Sequence, residues 1–179
     1  MDPIKFGTDG VRGKAGEWPV NSEGAYTIGL GVGRYLSQRS PQPAVVVGRD
    51  TRLSGKELSD ALIKGLLESG TDVADVGVMT TPGVAHLTMR YKMTLGAVLS
   101  ASHNPWTENG IKLVGADGFK LDATAEAVVE GYINNPTETF LPAHPGQLLP
   151  ARDWAADYVD HLVAHFPKDS LSELKLVLD

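Results

Sequence analysis

The sequence predicts a three-layer α/β/α domain built on a mostly parallel mixed sheet. Short apolar runs alternate with amphipathic stretches of helical period along most of the chain, the pattern of strand–helix–strand units. The 179 residues, 42% hydrophobic and 21% charged, suit one domain with a sizeable core and the beginning of a second. No internal repeat or low-complexity segment interrupts the alternation.

The elements follow in order. The first helix reads as about 23–38, beginning near Ser22, with Ala25, Ile28, Val32 and Leu36 on one stripe. Residues 44–48 read as a short buried strand, followed by the polar loop Gly48-Arg49-Asp50-Thr51-Arg52. Ser54 and Glu57 have capping-box spacing, which makes Ser54 the N-cap of a second helix. Leu58, Ala61, Leu62 and Leu66 turn that helix toward the core, and Gly70 stops it. Residues 72–78 read as the next strand, and Thr81-Pro82 as an N-cap followed by proline at the first helical position. Residues 95–99 and 110–114 read as strands, with Asn109-Gly110 as a turn signal between them. Two helices follow at about 123–134 and 151–165, separated by a stretch, 136–150, whose four prolines read as an extended surface connection. The final Leu174–Asp179 reads as the start of a further strand. The expected division is therefore 1–170 as one domain and 171–179 as the first strand of another.

Composition narrows the function. A net charge of −6 argues against a generic nucleic-acid binder. The charge is uneven: residues 1–56 hold eight basic and five acidic residues, residues 57–179 eight and 17. Arg12, Lys14, Arg49 and Arg52 sit among glycines and turn residues. Singly, each suits a solvated loop. As a group in an acidic chain they point to a small anionic ligand such as a phosphate. The absence of cysteine removes disulfides, thiolate zinc sites and cysteine nucleophiles. No apolar run approaches the roughly 18 residues of a membrane helix. The N-terminus lacks the features of a secretory signal, so a cytoplasmic location is expected.

Several motif-like spacings lack their supporting residues. Gly29, Gly31 and Gly33 follow no strand and lack dinucleotide-binding spacing, so close helix packing is the better reading. Gly55-Lys56 has no glycine five positions before it, and Glu57 stands where a P-loop needs Ser or Thr. His161 and His165 are four apart without a zinc protease's glutamate, which suits a solvated helix edge. Ser102 is not flanked by the glycines of a nucleophile elbow.

The segment Ser100-Ala101-Ser102-His103-Asn104-Pro105 is different. It directly follows a strand, and in open α/β sheets ligands bind beyond the carboxyl ends of strands. It supplies a hydroxyl, an imidazole and an amide, and Pro105 restricts the backbone at Asn104. Lys112 returns on the next strand. On the residues alone, an ordinary polar turn remains an alternative.

Phe6-Gly7-Thr8-Asp9-Gly10-Val11-Arg12-Gly13, Gly48 to Arg52, Ser100 to Pro105 and Asn109-Gly110-Ile111-Lys112 occur in one order that resembles the α-D-phosphohexomutase superfamily. Phe6 to Gly13, and Ser rather than Thr at position 100, are most similar to its phosphoglucosamine mutase branch. The resemblance implies interconversion of glucosamine 6-phosphate and glucosamine 1-phosphate, a step of amino-sugar metabolism toward peptidoglycan precursors. It implies a phosphoserine at Ser102, which gives its phosphoryl group to the sugar, forms a sugar 1,6-bisphosphate intermediate, and recovers the other phosphate after the sugar reorients. A phosphoserine carries nearly two negative charges and needs cations and donors around it. Phosphoryl transfer is catalysed mainly by positioning and charge stabilisation.

In this reading Ser102 is nucleophile and phosphoryl carrier. Arg12 and Lys112 stabilise the transferring group and position the sugar hydroxyl, and Lys112 or His103 takes its proton. Asn104 and Arg49 are further phosphate-binding candidates. Asn104 also shapes the turn, and Arg49 and Arg52 have the alternative role of holding the loop. Asp9 reads as a turn residue. The resemblance covers the first of four domains. Mg2+ is expected in the complete enzyme, held by the Ser102 phosphate and an aspartate-rich loop of the second domain that this sequence lacks. Expected partners are a phosphosugar, domains II–IV and a second copy of the chain, with self-association through an exposed strand 174–178; nucleic acid and membrane are not expected. The chain alone is expected to fold and be nearly inactive. Rival readings are a phosphomannomutase or phosphoglucomutase of the same superfamily, a non-catalytic phosphate-binding module, and a serine hydrolase, which would need a histidine placed to deprotonate Ser102.

Overall fold

The computed structural model describes residues 1–135, 142–170 and 172–177. Five strands form one sheet: β1 (Val11–Lys14), β2 (Ala44–Arg49), β3 (Asp72–Val78), β4 (Leu95–Leu99) and β5 (Glu108–Gly115). Five helices connect or cover them: α1 (Ser22–Ser37), α2 (Gly55–Glu68), α3 (Thr81–Arg90), α4 (Ala123–Asn134) and α5 (Trp154–Val163). The strand order is β1-β5-β4-β2-β3. β4, β2 and β3 pair in parallel, and β5 runs antiparallel between β4 and β1. Four strands thus share one direction, and the sheet is mixed and mostly parallel.

Strand alternation divides the core into two layers. Val45 and Val47 of β2 pack with Ile28, Leu62 and Val129 from α1, α2 and α4 on one face. Val46 packs with Val84 and Leu87 of α3 and Trp154 of α5 on the other. The glycines of α1 pack helices closely, as their sequence context suggests. A Cβ on Gly29 would lie 2.3 Å from the carbonyl oxygen of Leu62, and one on Gly65 would lie 2.3 Å from that of Tyr26. Only glycines let α1 and α2 approach this far.

Local details depart from the sequence reading for identifiable reasons. Thr80, one residue earlier than expected, caps α3 by accepting from Gly83 N at 3.1 Å, leaving Thr81 and Pro82 inside the first turn. Ser54 occupies the N-cap of α2 without a side-chain cap, because its hydroxyl instead accepts from Asn109 Nδ2 at 2.9 Å. Glu57 is likewise engaged elsewhere, with the Ser22 hydroxyl. Asn109 and Gly110 lie within β5, and the reversal occurs earlier, where Glu108 N donates to Pro105 O at 3.0 Å. β1 is a strand that the sequence pattern does not announce; its four residues obtain their ladder from β5. His161 is half-buried, stacked on His86 at 3.7 Å between ring centroids, while His165 is exposed. In the Pro-rich stretch, residues 136–141 lie outside the described residues, and Leu148 bridges the outer edge of β3 at Val73. The strand expected at 174–178 is absent from residues 172–177, where Leu174, Leu176 and Val177 are exposed with no neighbouring strand to pair; Leu178 and Asp179 lie outside the described residues.

Candidate active site

β2 and β4 are parallel neighbours that end at Arg49 and Leu99, so the loops leaving them emerge side by side. The second loop is tightly wound. Ser100 N donates to Gly110 O at 3.0 Å, Ser102 N to Ser100 Oγ at 3.0 Å, and Asn104 N to Ala101 O at 3.1 Å. Ser102 stands at its tip with φ of 56°, a left-handed conformation that non-glycine residues seldom adopt. Such backbone persists only where its surroundings over-determine it.

Arg52 supplies that constraint. Its Nη2 donates to the carbonyl oxygens of Ser102 at 3.0 Å and Asn104 at 2.9 Å, and Nη1 to those of Pro105 at 2.6 Å and Glu108 at 3.0 Å. Asp50 fixes the guanidinium from behind by accepting from Nε at 3.0 Å. The Arg52 side chain is 10% exposed. Of the two roles open to it, holding the loop is the one its contacts express. Arg49 has no hydrogen bond or ion pair through its side chain among the described residues, and Lys14 pairs with Glu17 away from the loop.

The β1–β5 register builds a cationic pair. Arg12 lies opposite Gly110, two residues before Lys112, so the period of two puts Arg12 and Lys112 on one face. A Cβ on Gly110 would lie 2.9 Å from Arg12 Cγ, and one on Gly10 would lie 3.1 Å from Lys112 Cγ. The two bare glycines leave room for the two long stems. Gly10 also has φ of +88° and closes a turn in which Gly7 N donates to its carbonyl at 2.9 Å, with Thr8 and Asp9 at the tip.

From that tip Asp9 reaches both cations, accepting from Lys112 Nζ at 3.0 Å and pairing with Arg12 Nη2. Arg12 Nη1 donates to Asn104 Oδ1 at 3.0 Å, and Asn104 Nδ2 to Glu108 Oε2 at 2.7 Å. A continuous polar network therefore links Lys112, Asp9, Arg12 and Asn104 to the Ser102 loop. The buried Arg12 Nε has no partner among the described residues. Partial burial pushes the Asp9 carboxyl up, but the hydrogen bond from Lys112 and the charges of Lys112, Arg12 and Lys120 together hold it below its ordinary value.

Ser102, Asn104 and Arg52 line a pocket of about 680 Å3 with Asp50, Thr51, Leu53, Ser100 and Trp106. Arg12 and Lys112 join it through Asn104 and do not line it. His103 is exposed and makes no side-chain hydrogen bond among the described residues. The Ser102 hydroxyl is also free of hydrogen bonds there, so no histidine or carboxylate stands behind it as in a hydrolase triad. Two features escape the sequence reading. Asp9 reads there as a turn residue, and its pairing with both cations appears only once the β1–β5 register is formed. Leu53 and Trp106, 88% and 73% exposed, carry no pattern that marks them as pocket walls.

Residues 3–140 match the family model for phosphoglucomutase/phosphomannomutase, alpha/beta/alpha domain I. The chain belongs to this family. Among curated members, phosphoglucosamine mutase of Shewanella halifaxensis is 42% identical over 175 residues, covering 97% of this chain and 39% of that protein. Phosphoglucosamine mutase of Maricaulis maris is 40% identical over 177 residues, with 97% and 39% covered. The chain thus spans about two fifths of these relatives' length. A putative phosphomannomutase from Thermus thermophilus superposes with a TM-score of 0.80 at 28% identity, over 98% of this chain and 39% of that one. A phosphoglucomutase/phosphomannomutase family protein from Burkholderia thailandensis gives 0.76 at 28% identity, over 92% and 36%.

Proposed function

We propose that this chain is the serine-bearing N-terminal part of a phosphosugar mutase that interconverts glucosamine 6-phosphate and glucosamine 1-phosphate. The observation that carries this reading is the exposed, strained Ser102 joined by one polar network to the Arg12–Lys112 cation pair. The 42% identical relative supports glucosamine phosphate as the substrate class.

The chemistry balances with few participants. In phosphorylated Ser102 the Oγ–P bond breaks as a sugar hydroxyl oxygen forms its own bond to phosphorus, and the departing Oγ, exposed at the loop tip, takes a proton from water, giving a sugar bisphosphate and a free serine. After the sugar reorients, its other phosphate returns to Oγ. Arg12 and Lys112 stabilise the equatorial oxygens of the group in flight. Ion-paired with Asp9, Lys112 serves as a cation, and the exposed His103 takes the sugar hydroxyl's proton. Arg52 keeps the serine backbone in its raised conformation, and Arg49, its guanidinium unpaired among the described residues, adds a phosphate contact beside the loop.

Family membership implies magnesium. Among the described residues no group of three or more His, Asp or Glu side chains converges on a cation site, and the charged groups linked to the Ser102 loop include two cations. The donors of this chain alone do not fit the metal, and no step is derived through it.

The test is intact-mass analysis after incubation with glucosamine 1,6-bisphosphate. One added phosphate located at Ser102, and lost in Ser102→Ala, is expected. A folded chain that takes up none, or carries it elsewhere, overturns the assignment.

A further inference from the structure

Lys112 has one ion-pair partner among the described residues, the Asp9 carboxylate at 3.0 Å. Arg12 has Asp9 and the Asn104 amide oxygen. A single carboxylate thus engages both cations, one oxygen to each. It does so from the solvent side: the Asp9 side chain is 48% exposed, against 15% for Lys112 and 21% for Arg12. Paired oxygens of a phosphoryl group seek the same donors in the same geometry.

Resting on the reading of Arg12 and Lys112 as phosphate-binding cations, we propose that Asp9 is the resident anion of the site. It holds two like charges together on adjacent strands in the free protein, and it competes with an arriving phosphate for them. Two consequences of removing its charge oppose each other. The cations lose the group that orients them, and the phosphate loses a like charge beside its binding position. Inorganic phosphate can settle in whatever orientation the cations offer, so loose positioning costs it little. Repulsion from a carboxylate touching the same cations acts in every orientation. The second effect is the larger for this probe.

Asp9→Asn keeps a residue suited to a turn tip and a similar shape. It should bind inorganic phosphate about five- to tenfold more tightly than the unaltered chain at low ionic strength, with the gain shrinking as salt screens the site. Calorimetric titration of both proteins, each first checked for a native circular dichroism spectrum, measures this. Equal or weaker phosphate binding by folded Asp9→Asn overturns the proposal. Should that variant fail to fold, Asp9→Ser carries the same comparison with the same two outcomes. Lys112→Met and Arg12→Met separate the underlying reading from the inference. If both leave phosphate affinity unchanged, the cations are not the phosphate site. If both weaken it while Asp9→Asn does not strengthen it, the site stands and the competing role of Asp9 falls.

Discussion

Arg52 donates a hydrogen bond of 3.0 Å to the backbone carbonyl oxygen of Ser102, fifty residues away. The same planar fork reaches two more loop carbonyls and that of Glu108 at the start of β5, so the nucleophile's backbone is held by a side chain from the neighbouring β2 loop. Truncation to Arg52→Ala leaves these acceptors and Asp50 without their donor, at a cost of about 2–3 kcal/mol. Arg52→Lys recovers only part of it, because one ammonium cannot span the set. Urea unfolding measures both variants, and amide exchange at residues 100–104 should rise with the loss. An Arg52→Ala chain as stable as the original would show that the loop is self-supporting.

Gly10 and Gly16 form a matched pair for a second measurement. Both have φ of +88°, but a Cβ on Gly10 would lie 2.4 Å from Ile111 O, while one on Gly16 meets nothing within 4 Å. Gly16→Ala should cost about 1 kcal/mol of conformational strain alone. Gly10→Ala should cost about 3 kcal/mol or more, since the β1–β5 contact must also open. Equal thermal shifts for the two variants would show that strain, and not the close approach, decides the cost.

The His86–His161 stack makes stability depend on acidity. Burial, the neighbouring His161 and Arg90 lower the His86 pKa, against an opposing pull from Asp157. Its buried Nε2 has no hydrogen-bond partner among the described residues. A histidine depressed in the folded state contributes stability fully above its unfolded value of 6.5, and loses it as pH falls through that value toward the folded pKa. Denaturant midpoints should therefore fall as the pH is lowered from above 6.5 to below it, and His86→Phe should flatten that dependence. Parallel curves for the two proteins would remove His86 as the cause.

The isolated chain should accept a phosphoryl group without sustaining turnover. It spans 39% of a relative such as the Shewanella halifaxensis enzyme, and among the described residues no three His, Asp or Glu side chains gather into a metal site. Formation of glucosamine 1-phosphate from the 6-phosphate should be at least about a thousandfold slower than with a full-length relative, as expected when positioning and charge stabilisation are incomplete. Comparable rates in a coupled assay would refute this.

The sheet is legible in the sequence because Val45 to Val47 and Leu95 to Leu99 are short apolar runs, buried on both faces, too short for helices and bounded by polar turn residues. β1 is hidden because two of its four residues, Gly13 and Lys14, have low strand propensity, and its pairing with β5 is a tertiary fact. The Ser102 loop is readable from its place after a strand. What Asp9 does is unreadable, because a turn aspartate and a bridging aspartate look alike until the register sets Arg12 and Lys112 on one face.

That register also orders events in time. Val11 pairs with Ile111, one hundred positions later, whereas β2, β3 and β4 find one another within a single stretch of chain. During synthesis the parallel strands can join while the first fourteen residues still lack a partner. The cation pair comes into being only when β5 arrives and draws the beginning of the chain onto the sheet. A nascent chain halted before Glu108 has its parallel strands, and nowhere to dock Arg12.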